Sequence, residues 1–249
     1  MSAFHRSYVV VRQLPILREV VNFALRRGRN LFWTFRPAYM ARSTKIPSDY
    51  VALVLATIDH ATPEFELIEV GCGDGRILRR LAKEFPRAHF TGIDLQISAV
   101  ELGNKYLSTS SEPEARVELI CGSCLDDGFG LSCDYLISRT ALIYLDDEEI
   151  KTFLSRLLPK LRRRAIFQEL VSTTGKTERS HFFAHPLSAL IEEIAPGRFE
   201  IRQYDIAYAP WKGWNWTGAS LIVTRKREAS LPNELGPFSS LESAKTQSD

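Results

Sequence analysis

From Glu66 onward the chain alternates short apolar runs with longer stretches whose apolar residues recur at helical spacing. That alternation is the signature of repeated strand–helix units and of a mostly parallel sheet. The apolar runs predict strands at Leu67–Val70, His89–Ile93, Val117–Cys121, Tyr135–Ser138, Ala165–Leu170, Phe199–Ile206 and Ser220–Thr224. The periodic stretches predict helices at Gly75–Phe85, Ile97–Leu107, Asp146–Leu158 and Pro186–Ile194; the third opens with "LDDEEI", whose acids suit a helix N-terminus. Only about a dozen residues without helical pattern join the last two strands, which predicts an antiparallel pair there. The fold class expected is α/β: a doubly wound, mostly parallel seven-stranded sheet with one antiparallel strand, plus an N-terminal helical extension.

The extension rests on Leu14, Leu17, Val21, Ala24 and Leu25, which alternate with Arg18, Asn22 and Arg26 as in a basic amphipathic helix within Ser7–Arg27. Pro37 and Pro47 bracket a connector, and beyond Arg227 the chain is polar, aperiodic and expected to be disordered. The organisation expected is a basic helical extension over 1–45, a main domain over 46–227 and a tail over 228–249. No internal repeat is found.

Charge sharpens this division. The 249 residues sum to +2, but Met1–Lys45 holds nine Lys/Arg against Glu19 alone, an arm of +8 on a body of −6. Arginines and Pro15 interrupt every apolar run in the arm, so no membrane-spanning helix is expected. The start lacks a secretory h-region and cleavage site; a cytoplasmic location is expected, with an organellar transit peptide as the alternative. The arm has three readings: a helix packed on the domain, contact with anionic lipid, to which Phe32, Trp33 and Phe35 lend weight, or contact with a nucleic-acid backbone.

The four cysteines are Cys72, Cys121, Cys124 and Cys133. Cys121 and Cys124 have C-x-x-C spacing, but no second pair of ligand type accompanies them, so buried thiols are favoured over a redox or zinc site.

The chemistry concentrates in "LIEVGCGDGR", Leu67–Arg76, where glycines follow a strand and open a helix. Asp94 ends the next strand, 23 residues after Gly71, where its carboxylate can accept hydrogen bonds from both hydroxyls of an unphosphorylated ribose. The spacing is G-x-G-x-G rather than the G-x-G-x-x-G of dinucleotide sites, and the acids Glu69 and Asp74 flank the loop. Acids suit an ammonium or sulfonium group better than a diphosphate.

"EVGCGDGR" with "TGIDLQ" resembles the first two motifs of the class I S-adenosylmethionine (SAM)-dependent methyltransferases. The likeness continues in order through "ELICGSCLDD" and "CDYLISRTALIYLDDEEIKTFLSRLLPKL", over about Glu66–Leu170. The resemblance implies that the Glu69–Gly75 loop, with Gly71, Cys72 and Gly73, cradles the methionine part of SAM. It likewise assigns Asp94 to the ribose, Leu95 to the adenine face, Ser123 and Cys124 to the adenine edge, and Ser138 to the methionine part. Family members often carry an acid where Ser123 stands, and a serine would bond the adenine amine more weakly.

Methyl transfer needs a nucleophile placed in line with the sulfonium. The chain after the fourth strand reads Ser138-Arg-Thr-Ala-Leu-Ile-Tyr144, which lacks the "NPPY" or "DPPY" pattern of enzymes acting on planar amino groups. Arg139 could bind a substrate carboxylate or phosphate, and Tyr144 could steer a hydroxyl; the alternative is a surface arginine and a wall tyrosine. His181 and His185 in "HFFAHP" could supply a base if helical, although Pro186 favours a capping or surface role. Trp211, Trp214 and Trp216 could form an aromatic lid or cover the sheet edge.

These residues together predict a SAM-dependent methyltransferase acting on an oxygen or nitrogen of a small-molecule acceptor, with SAM as cofactor and no metal. The alternatives are a methyltransferase reaching RNA or protein through the basic arm, a nicotinamide-dependent oxidoreductase on the same layered fold, and a non-catalytic SAM-binding partner subunit.

Overall fold

The computed structural model describes residues 48–109, 116–127, 130, 132–170, 178–179, 182–208 and 216–226. Its sheet is built from β1 (Glu66–Val70), β2 (His89–Asp94), β3 (Val117–Cys121), β4 (Cys133–Arg139), β5 (Leu161–Leu170), β8 (Phe199–Tyr208) and β9 (Trp216–Arg225), in the order β3-β2-β1-β4-β5-β9-β8. β1 pairs parallel with β2 and β4, β2 with β3, and β4 with β5. β9 runs antiparallel to both β5 and β8, so it is the single reversed strand. A separate hairpin joins β6 (Glu178–Arg179) to β7 (Phe182–Phe183).

Helices α1 (Ser48–Thr57), α2 (Arg76–Glu84), α3 (Ile97–Thr109), α4 (Asp147–Leu157) and α5 (Leu187–Ile194) cover the sheet. One core packs α4 and α5, through Phe153, Leu154, Leu157, Leu187 and Ile191, on Leu136, Phe167 and Leu221. The opposite core packs α1 and α2, through Tyr50, Val54, Leu78 and Leu81, on Leu67, Tyr135, Ile137 and Ile166. Burying each of these large side chains contributes about 1.5–3 kcal/mol. Phe65 meets Phe85, Phe90 and Tyr135 edge to face, with centroids 5.1–5.9 Å apart.

Several elements differ from the sequence expectation; β9, for one, starts at Trp216 instead of Ser220. Helix α1 occupies the start of the main domain, just after the expected connector, where no helix was expected; "SDYVALVLAT" is apolar almost all round, so it carries little amphipathic signal. β5 starts four residues early because Arg162 and Arg163 pair with Asp134, and Arg162 also with Glu66, at the amino-terminal edge of the sheet. Arg164 reaches the carbonyl of Thr57 at the end of α1. The β6–β7 hairpin falls in the segment offered as helical around His181 and His185. The expected arm helix, the polar tail, His181, Trp211 and Trp214 lie outside the described residues. Among the described residues no helix is long and apolar enough to cross a membrane.

Helix α4 begins on a complete capping box: Asp146 accepts from the amides of Glu148 and Glu149, while Glu149 accepts from the Asp146 amide. Asp146→Ala should therefore cost about 1 kcal/mol. Urea unfolding should show a lower midpoint at unchanged m.

Candidate active site

The loop after β1 is folded by its own amides. Gly71 N and Cys72 N both donate to Ile93 O, at 2.8 and 3.2 Å, and Gly73 N donates to Asp94 Oδ2 at 2.8 Å. Gln96 N takes the other Asp94 oxygen at 2.8 Å, so one carboxylate joins the turns after β1 and β2. Gly71 has φ +76°, and a Cβ there would lie 2.3 Å from Ala141 Cβ, so the turn after β4 closes directly on the glycine loop. Because these three loop amides point inward, the loop does not offer the converging N–H groups that hold a diphosphate.

The acids decide what the loop favours instead. Glu69 is 3% exposed and its Oε2 is buried without a hydrogen-bond partner among the described residues. Burial first, then the neighbouring Asp94 and Asp74, push its carboxyl well above the ordinary range. Burial also raises Asp94, while the amides of Gln96 and Gly73 hold it back. Asp74, the other acid flanking the loop, is different: Arg76 grips it through two contacts of 2.8 Å. Burial without a counter-ion at bonding distance disfavours the ionised form of both Glu69 and Asp94, and a positively charged ligand beside them would restore it. Just after Asp94 in the chain, Leu95 and Ile97 are 48% and 47% exposed, an apolar pair at the carboxyl end of β2.

A family model described as a methyltransferase domain matches residues 67–164. Over those residues the chain is similar to methyltransferase domains. Over 99 residues the chain is 30% identical to the malonyl-[acyl-carrier protein] O-methyltransferase of Priestia megaterium, covering 40% of this chain and 34% of that one. It spans about a third of the length of the curated relatives it matches. The fold is shared with magnesium protoporphyrin IX methyltransferase from Synechocystis PCC 6803 with bound SAM: TM-score 0.59, 16% identity, 81% of this chain and 97% of the other. It is also shared with geranyl diphosphate C-methyltransferase from Streptomyces coelicolor A3(2), at TM-score 0.57 and 13% identity over 72% and 80% of the two chains.

The strand ends gather most of the residues singled out in the sequence. Glu69, Gly71, Cys72, Gly73, Asp94 and Leu95 cluster at the carboxyl ends of β1 and β2, and Val70 pairs with Ser138 across β1 and β4. Ser138 is fully buried; its Oγ donates to Glu169 Oε1 at 2.7 Å and its carbonyl accepts from Tyr50 Oη at 3.1 Å. Ala141, three residues on, is the residue that meets Gly71.

Ser123 Oγ accepts from Leu125 N at 3.1 Å, and its amide donates to Asp126 Oδ2 at 3.0 Å. The acid missing at position 123 thus has a neighbour three residues later. Cys124 is buried in the core facing α4, and that burial pushes its thiol up to about 12. Cys121 is exposed beside Leu95, its thiol donating to the Leu95 carbonyl at 3.8 Å.

The acceptor-side candidates separate. Arg139 ends β4, half-buried, with Nε donating to Gln168 Oε1 at 2.7 Å; Gln168 in turn donates to Ser220 Oγ at 3.3 Å. Tyr144 lies on a single 3-10 turn, Leu142–Tyr144, and packs against Ile143, Leu170 and Ala184. His185 is buried, with Nε2 2.9 Å from Leu145 O and Nδ1 3.7 Å from Asp147; burial lowers its pKa. It buttresses the turn before α4 and is not on a helix, so the condition on which it was offered as a base is not met.

Sequence reasoning missed Glu169, Gln168 and Tyr50. Glu169 and Gln168 close an otherwise apolar strand, "RAIFQEL", where two adjacent polar residues were the available signal.

Burial pushes the Glu169 carboxyl from its ordinary 4.5 up to about 7. The folded state then holds a proton that the unfolded chain has released, so this contribution to stability is complete below pH 4.5 and is lost as pH rises through about 7. Glu169→Gln removes the titrating group. Thermal midpoints of the ligand-free protein between pH 5 and 8 should fall less steeply in that variant.

Proposed function

We propose that the protein transfers the methyl group of SAM to an oxygen or nitrogen of a small-molecule acceptor. The observation carrying this is the combination at the loop: amides turned inward, with Glu69 and Asp94 unneutralised beside them. That is a site for a ribose-bearing cation. Asp94 accepts from the ribose hydroxyls through the lone pairs its two amide bonds leave free, and Leu95 and Ile97 pack on the adenine. Glu69 supplies the negative field for the ammonium and sulfonium charges. Asp126 stands near the adenine edge in place of the usual acid.

Bound SAM supplies a methyl carbon whose bond to sulfur breaks, the electron pair staying on sulfur, as the acceptor's lone pair forms the new bond. An oxygen or nitrogen nucleophile needs chiefly to be held in line. Arg139, immobilised by Gln168, would hold an anionic group of the acceptor at the end of β4. Small acceptors are supported by the fold relatives, which are named for magnesium protoporphyrin IX and geranyl diphosphate.

Calorimetric titration with SAM, S-adenosylhomocysteine, NADH and NADPH tests the reading. Saturable binding of the two sulfur ligands alone is expected, and binding only of a nicotinamide nucleotide would sink it. Transfer of labelled methyl to a small-molecule extract, and not to RNA or protein, tests the acceptor class. Asp94→Ala should lose about 1–3 kcal/mol of SAM binding while remaining folded; unchanged affinity would remove Asp94 from the site.

A further inference from the structure

The turn leaving β4 holds an unfavourable shape. Thr140 has φ +59°, the only positive φ outside glycine among the described residues, and a β-branched residue is strained there. Two neighbours at the end of β5 grip it. Thr140 N donates to Gln168 O at 3.1 Å. Glu169 Oε1 accepts from Ser138 Oγ at 2.7 Å, Ala141 N at 3.1 Å and Leu142 N at 3.3 Å, so one carboxylate oxygen spans the turn and caps the 3-10 helix beyond it. The result is the close seat of Ala141 on Gly71, where the glycine's missing Cβ would have been.

Glu169 is a costly way to hold a turn. It is 1% exposed, and its Oε2 is buried without a hydrogen-bond partner among the described residues. Burying a carboxylate so incompletely satisfied opposes folding, and a neutral side chain of the same size would avoid that cost. Gln168 beside it shows the neutral solution in use, bonded to both Arg139 and Ser220.

We infer that Glu169 is a positioning residue for methyl transfer: through Ser138 and the amides of Ala141 and Leu142 it sets the β4 turn against Gly71, and so fixes the wall of the cleft at the methionine end of the cofactor. This rests on the methyltransferase reading above. Glu169 does not touch the reacting atoms; it acts through Thr140 and Ala141.

The test is titration of the full chain with SAM and S-adenosylhomocysteine. Glu169→Ala should weaken both by about tenfold while the protein remains folded. Adding Thr140→Gly to that variant should recover several-fold of the loss, because glycine adopts a positive φ without strain. A side chain that only filled space in the core would not be rescued by a glycine at position 140. Wild-type affinity in folded Glu169→Ala, or no recovery in the double variant, overturns the inference. Should Glu169→Ala fail to fold, Glu169→Gln keeps the volume with a neutral acceptor; about threefold weaker binding, again recovered by Thr140→Gly, is expected, and unchanged affinity overturns it. Failure of the wild-type chain to bind either sulfur ligand overturns the methyltransferase reading as well, so the two failures are told apart by the unmodified protein.

Discussion

One carboxylate holds the ligand end of the sheet together. Asp94, at the end of β2, accepts from the amide of Gly73 in the loop after β1 and from the amide of Gln96 in its own turn, each at 2.8 Å. These charge-assisted bonds tie two crossover connections into one unit, and the carbonyl of Ile93 adds the amides of Gly71 and Cys72 to it. Without them the glycine loop would have inward-pointing amides and nothing to satisfy them, in a place where burial makes an unmade bond expensive. The turn that carries Leu95 is set by that closure.

The same bonds determine the electrostatic character of the site. A nucleotide loop that leaves its amides pointing at the ligand favours phosphate; this one has turned them inward and retains acids instead. Asp74 is neutralised by Arg76, whereas Glu69 is buried with an unpartnered oxygen. The charge that the loop presents therefore depends on how hydrogen bonds are shared within the protein as much as on residue type.

The far side of the cleft is organised by a different economy. β5 ends in two polar residues that face opposite layers: Gln168 fixes Arg139, and Glu169 fixes the Thr140–Ala141 turn. Tyr50, from α1, reaches the carbonyls of Ser138 and Ile166 beneath the same turn. Three elements distant in sequence thus converge on the exit of β4.

Local patterning was sufficient for the strands, the four helices beyond β1, the antiparallel closing strand, the glycine loop and Asp94, because each depends on periodicity or on a spacing within a single strand–helix unit. α1 escaped because an all-apolar helix has no polar face to mark its period, and the start of β5 because three arginines hide a strand that long-range ion pairs make favourable. The alphabet alone also placed Asp74 with Glu69, and only side-chain geometry revealed that Arg76 neutralises it. Ser138, Cys124 and His185 look like chemistry as letters, yet tertiary packing turns the first toward Glu169, the second into the core and the third against the Leu145 carbonyl. The sequence by itself determined the fold class and the turn of the glycine loop, where short-range geometry rules. Which polar groups remain free to act was decided only by tertiary structure, since a buried donor or acceptor takes whatever partner the fold brings near it.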